Sequence, residues 1–199
     1  MTSQIKPPLD FSLKDLESII DCLEEDPRDT PSPGSKLSLT SPQHTPKSTP
    51  SPTKTLKKKR STNAIRFSNN KISEWSDLNE TMGKLLENPC ETVGWIDFSF
   101  NEMTTIDECL LQYRNLKILY LHGNCIEKLS EVDKLAALPH LQSLTLHGNP
   151  IEEIEGYRLY VLSKIPQLKN FDFSGVTKSD RMSSQTWSKS SKRQRTEVH

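Results

Sequence analysis

Two histidines make the strongest chemical suggestion in this chain. His122 and His147 each sit inside the same string, Leu-His-Gly-Asn. On adjacent β-strands their Cβ atoms would stand roughly 4.5–5.5 Å apart, near enough for one metal ion to bridge the rings. Two ligands do not make a site, and no cysteine or carboxylate shares their place in the string, so no metal is expected. Cys22, Cys90, Cys109 and Cys125 show no Cys-x-x-Cys spacing and read as reduced thiols of a cytosolic or nuclear chain. No nucleophile stands beside a base at a recognisable spacing, and Gly83 and Gly94 are isolated rather than part of a phosphate-cradling loop. The expectation is a non-enzymatic protein with no catalytic residue and no cofactor.

Two further patterns carry weaker chemistry. Thr30-Pro31, Ser32-Pro33, Ser41-Pro42, Thr45-Pro46, Thr49-Pro50 and Ser51-Pro52 crowd one stretch, and Ser51-Pro52-Thr53-Lys54 suits a proline-directed kinase as well as an unmodified spacer. Lys57-Lys58-Lys59-Arg60 would serve nuclear import or a nucleic-acid contact. It lacks the interleaved aromatics of a base-stacking surface and reads as a solvated charge run.

The chain has 199 residues, room for one domain with tails. Only 33% of residues are hydrophobic and 26% are charged, and the apolar shortage is concentrated in residues 27–61, which are predicted to be disordered. The formal net charge of +0 conceals an acidic head, a basic run at Lys54 to Arg60 and a basic tail from Lys178. No stretch approaches the ~20 apolar residues of a membrane span, and Pro7 and Pro8 stand where a secretory signal needs an apolar core.

What would position the histidines is a repeat. Leu116 to Ile126 and Leu141 to Ile151 both read L-x-x-L-x-L-x-x-N-x-I. Weaker copies run from Ile65 through Phe67, Asn70 and Ile72, and from Val93 through Ile96, Phe98, Asn101 and Met103. Leu168, Phe171 and Phe173 give a fifth strand-like piece without the asparagine. The template is that of leucine-rich repeats, units of about 20–29 residues that stack so that each buries its neighbour's apolar face. Alternate side chains of each strand point inward. Asn70, Asn101, Asn124 and Asn149 stand at the turn, where an amide satisfies backbone groups that no ladder reaches. Trp75, Leu78, Met82, Leu85 and Leu86 mark a convex helix ending before Asn88-Pro89.

Both ends need covers. Leu13, Leu16, Ile19, Ile20 and Leu23 recur at helical spacing, with Ser12 and Asp15 as a capping box, so a short acidic amphipathic helix is predicted over residues 9–25. At the other end Tyr157, Val161, Leu162 and Ile165 predict a capping helix before the last strand. Trp187 is expected to pack back on it, with disorder from Ser188 onward. The organisation expected is an acidic segment 1–26, a linker 27–61, a repeat domain 62–177 of about four repeats plus a cap strand, and a basic tail 178–199.

The entries Leu-Pro-x-Leu and the ending N-P-I-E-E…G-Y-R-x-Y-V-L…I-P-x-L-K-N-F-D, from Asn149 to Asp172, resemble the capped leucine-rich-repeat family. A phosphatase-1 regulator, a spliceosomal protein and an axonemal dynein light chain share that cap. W-I-D-F-S-F-N-E-M-T-T-I-D, L-Y-L-H-G-N, L-T-L-H-G-N-P and F-D-F-S-G-V-T-K-S-D-R narrow the likeness, which covers the head and residues from about 62 to 187. The linker and the far C-terminus depart from it. The resemblance implies a small cytoplasmic protein without enzymatic activity, linked to cilia or flagella.

The expected fold class is α/β: a short solenoid with a parallel concave sheet, a helical and 3-10 convex side, and disordered tails. The register places Trp95, Ile118 and Ser143 in one concave row, Asp97, Tyr120 and Thr145 in the next, and His122 and His147 in a third, with Phe100 at the bend. Trp95, Asp97, Phe100, Ile118, Tyr120, His122, Thr145 and His147 are therefore the expected protein-binding residues of a monomeric adaptor, since aromatics on a rigid sheet are the usual anchors of interfaces. The competing arrangement has the N-terminal helix folded over this patch. The rival functions are a nuclear RNA- or chromatin-associated factor and a phosphatase regulator. No membrane or nucleic-acid partner is expected.

Overall fold

Each repeat's Leu-x-Leu pair becomes a strand only two or three residues long. Such strands are stable here because every one is paired on both sides except at the ends. In a computed structural model, residues 7–28 and 59–196 are described, with side chains through residue 190. Seven strands stand in chain order: β1 Leu9–Asp10, β2 Ala64–Arg66, β3 Trp95–Asp97, β4 Ile118–Tyr120, β5 Ser143–Thr145, β6 Asn170–Phe171 and β7 Ser174–Gly175. Pairings from β1 to β6 are parallel, and β6–β7 is antiparallel. Ile65, Ile96, Leu119, Leu144 and Phe171 are in register and fully buried.

The next inward position carries Phe11, Phe67, Phe98, Leu121 and Leu146, all buried. Phe11, Phe67 and Phe98 stack in succession with ring centroids 5.7 and 5.0 Å apart. The convex side returns through α1 (Leu78–Leu85), the single-turn α2 (Pro89–Thr92), and the 3-10 helices Glu108–Gln112 and Leu129–Ala137. α1 is the convex helix expected from the sequence, and Trp75 at its approach donates its indole N–H to Thr105 O at 2.9 Å.

The asparagines form a ladder perpendicular to the strands. Asn124 Nδ2 donates to Leu121 O of its own repeat and to Phe98 O of the preceding one, both at 2.9 Å, while its Oδ1 accepts from Met103 N at 3.0 Å. Asn101 bridges Phe98 O and Phe67 O and accepts from Ile72 N; Asn149 bridges Leu146 O and Leu121 O and accepts from Ile126 N. Asn70 makes the same contacts toward the N-terminal segment, donating to Phe11 O and accepting from Lys14 N and Leu16 N.

That contact corrects the reading of the head. Instead of a helix over residues 9–25, the chain forms β1, which extends the sheet beside β2, and then one 3-10 turn, Ile20–Leu23. The supposed capping box is not formed: Ser12 N–H bonds Asp10 Oδ1 instead. Leu9-x-Phe11-x-x-Lys14 is a truncated repeat, with lysine where the others have asparagine. Leu16, Ile19 and Cys22 are buried, only Cys22 of them within the 3-10 turn. Leu13, which the helix reading put on the apolar face, is exposed, with φ +58°.

The C-terminal end holds α3 (Tyr157–Lys164), the cap helix expected, and α4 (Lys178–Thr196), a helix not foreseen in the basic tail, which was expected to be disordered from Ser188. Thr177 and Asp180 exchange backbone-to-side-chain bonds of 2.9 and 3.1 Å, a capping box that starts α4. Arg158 of α3 grips Asp180 with two bonds of 3.2 and 3.1 Å, which holds that carboxyl far below the usual range. Arg181 donates to Leu168 O, Ser184 is buried, and Trp187 meets Tyr160 edge-to-face at 5.8 Å, as its expected packing required. Among the described residues no helix is long and apolar enough to cross a membrane. The Ser/Thr-Pro pairs, Lys57 and Lys58 lie outside the described residues.

Candidate interaction surface

The outward residues of β3, β4 and β5 fall into the rows that the register predicts. Trp95 pairs with Ile118 and Ile118 with Ser143, while Asp97 pairs with Tyr120 and Tyr120 with Thr145. Trp95 meets Tyr120 edge-to-face at 5.9 Å, and Tyr120 meets His122 at 6.0 Å. His122 and His147 stack face to face at 4.7 Å. The aromatic strip is therefore continuous across three repeats.

Not all of the expected residues are available to a partner. Asp97, His122 and Thr145 are buried, Trp95, Ile118, Tyr120 and His147 are half-buried, and Phe100 is 53% exposed. Asp97 is consumed internally. Its carboxylate accepts from Ser99 N at 3.0 Å, Ser99 Oγ at 2.6 Å and Arg66 Nε at 3.1 Å. Arg66 also reaches Asp10 at 3.6 Å and lies 5.3 Å over the Trp95 ring. Thr145 serves its neighbour, its hydroxyl standing 2.8 Å from His122 Nδ1.

The residue that sequence reasoning misplaced is Phe173. With Leu168 and Phe171 it was expected to point inward along a straight last strand. The chain instead reverses after Phe171, and Asp172 and Phe173 have φ of +49° and +58° in the two-residue turn between β6 and β7. Phe173 is thereby 63% exposed, and its ring rests against Tyr120, His122 and His147 at 5.5, 5.4 and 5.5 Å. Asp172 pins the turn: its Oδ1 accepts from Leu146 N at 2.7 Å and His147 N at 3.0 Å, and its Oδ2 accepts from Tyr157 OH at 2.8 Å. Burial and this carboxylate together push the Tyr157 hydroxyl well above the ordinary tyrosine range.

Phe100 occupies the turn position held by Asn69, Gly123 and Gly148 in the other repeats, and like them it has positive φ, +54°. Its ring lies over Gly123, where a Cβ would come within 2.6 Å of the ring, and meets His122 edge-to-face at 5.0 Å. Gly123 is thus required twice, by its φ of +66° and by the ring above it.

Burial, reinforced by neighbouring His147, holds His122 below the usual histidine pKa, against weaker opposite pulls from Asp97 and Asp172. The unfolded chain therefore takes up this proton first, and His122 subtracts stability as pH falls below about 6.5. On acidification from about pH 7.5 to 5.5, the urea midpoint of wild type is expected to fall further than that of His122→Gln. Equal falls would contradict this. Among the described residues no cluster of three or more His, Cys, Asp or Glu is placed to hold a metal. Burial and Asp107 push the Cys109 thiol up to about 12, away from nucleophilic use.

Comparison with known proteins matches this architecture. A family model described as "Leucine-rich repeat" matches residues 59–198. Leucine-rich repeat-containing protein 51 of Rattus norvegicus is 46% identical over 187 residues, spanning 94% of this chain and 87% of the relative. Its Homo sapiens counterpart is 43% identical over 190 residues with the same coverage. Among solved structures, a chain in the crystal structure of the Drosophila melanogaster SNF/U2A' complex aligns with a TM-score of 0.53 and 26% identity. The alignment covers 63% of this chain and 67% of that one.

Proposed function

The chain belongs to the leucine-rich repeat family represented by leucine-rich repeat-containing protein 51, and from that premise we propose that it is a non-catalytic adaptor capturing a protein partner on its concave sheet. The observation that carries the reading is the aromatic strip from Trp95 to Phe173, with Phe100 beside it, which the other described residues leave uncovered on a rigid sheet. The arrangement that would have covered it does not occur among the described residues, since the N-terminal segment adds a strand at the sheet's edge and packs its apolar groups into the core. Strands fixed by ladder bonds and asparagine bridges hold the rings in place before docking, so little ordering entropy opposes association. A solved structure of similar fold is itself part of a complex, as its description states. A cytoplasmic setting, with a cilium or flagellum as its specific site, belongs to the same proposal.

Trp95→Ala combined with Tyr120→Ala tests it. Proteins that co-purify with the wild-type chain from ciliated cells are expected to be lost with the double variant, by at least about tenfold. They should persist with a convex-side control such as Glu91→Ala. Circular dichroism should show the double variant folded, because both residues are half-exposed. Unchanged capture would place the binding surface elsewhere.

A further inference from the structure

Phe100 and Phe173 stand out among the exposed apolar residues. Both are bulky side chains in left-handed backbone, with φ +54° and +58°. For an L-residue other than glycine that conformation is strained. The turn position of Phe100 carries Asn69, Gly123 and Gly148 in three other repeats, and the exposed Leu13 in the truncated first one. Core packing does not require either ring, since they are 53% and 63% exposed. Both instead converge on His122 with steeply inclined rings, at 5.0 and 5.4 Å, Phe173 also meeting Tyr120 at 5.5 Å, and both leave more than half of their surface exposed.

The charge around these rings is mixed but weighted toward carboxylates. Asp97 and Asp172 act on the His122 ring, whose pKa burial and neighbouring His147 lower, and Asp97 and Arg66 act in opposite senses on Tyr120. Arg66, the cation nearest along the sheet, is committed to Asp97, Asp10 and the face of Trp95. We propose that the groove over Phe100, Tyr120 and Phe173 receives a cationic side chain of the partner, a guanidinium in the first place, with apolar residues flanking it.

This rests on the concave-face reading and adds the chemistry of what docks there. Aromatic rings attract a cation, and the carboxylates beside them add Coulombic attraction, offset in part at Asp97 by Arg66. A partner carboxylate would meet the same two carboxylates as repulsion. The chain already makes the arrangement once, one strand away, where the Arg66 guanidinium lies 5.3 Å over Trp95 with Asp97 against it. Because the formal net charge is +0, no global field biases the chain toward either sign of partner.

The test uses two synthetic helical peptides with identical leucines, one carrying arginine and the other glutamate at the remaining positions. Each is titrated into the full-length chain, with affinity read by calorimetry and location by the NMR signals of Trp95 and Phe173. The arginine peptide is expected to bind at least about tenfold more tightly and to shift both signals. In Phe100→Leu/Phe173→Leu, which keeps apolar area and removes ring faces, the preference should collapse while leucine-driven binding persists. Equal affinities, or a glutamate preference, with both peptides lost in Trp95→Ala/Tyr120→Ala, would overturn the cation assignment and leave the concave surface standing. Arginine-peptide binding that ignores all four substitutions, or no binding by either peptide, would overturn both.

Discussion

Replacing Asn124 with alanine is expected to destabilise the fold by about 3 kcal/mol, and the sharper result lies in how this loss combines with others. Asn124 alone satisfies Met103 N, so that buried donor is orphaned at once. The three carbonyls it serves are each shared, Phe98 O with Asn101, Leu121 O with Asn149 and His122 O with the Phe100 N–H. A single replacement therefore weakens these acceptors without stranding them. In Asn101→Ala/Asn124→Ala, Phe98 O loses both donors, and the double variant should fall below the sum of the singles by about 1–2 kcal/mol. Asn101→Ala/Asn149→Ala share no carbonyl and should add. Urea unfolding in a fixed concentration of stabilising osmolyte gives every variant a folded baseline. Additivity in both pairs would mean that the asparagines act as separate turn residues and not as a ladder.

The repeat core was legible because its signal is redundant. The same template recurs, so the in-register rows of Trp95 with Ile118 and of Asp97 with Tyr120 follow from counting residues between asparagines. Exposure was less legible than register. Asp97 and Thr145 lie on the expected face, yet Arg66, Ser99 and His122 draw them into internal bonds that no periodicity reports. Phe173 was hidden for another reason. A two-residue hairpin turn is normally announced by Asn-Gly or Asp-Gly, whereas here Asp172-Phe173 forms it and Tyr157, distant in sequence, supplies the hydroxyl that fixes the aspartate. For α4 the signal was present and unread. Thr177-x-x-Asp180 is a capping box in a stretch whose polar composition otherwise suggests disorder, and Arg158 on another helix completes it.

The head of the chain offers the cleanest separation of the two structural readings, because they predict opposite signs at neighbouring residues. If residues 9–25 were the amphipathic helix that their spacing predicts, apart from the repeat core, Leu13→Gly would weaken it by about 1 kcal/mol and Phe11→Ala would leave the repeat domain untouched. The observed head is instead a truncated first repeat. Phe11 is 1% exposed and heads the stack onto Phe67 and Phe98, with Asn70 bonded to its carbonyl. Truncating it to alanine removes a ring from the end of the core and is expected to cost about 3–5 kcal/mol. Leu13 has left-handed backbone and a side chain 61% exposed, so Leu13→Gly gives up little packing and relieves strain. It should be neutral or stabilising by up to about 1 kcal/mol. Because a solenoid's stability is carried by its nearest-neighbour interfaces, the Phe11→Ala loss should appear first as faster hydrogen exchange in β2 and only later in β5. A Phe11→Ala chain as stable as wild type, with a weakened Leu13→Gly chain, would restore the helix and detach the head from the fold.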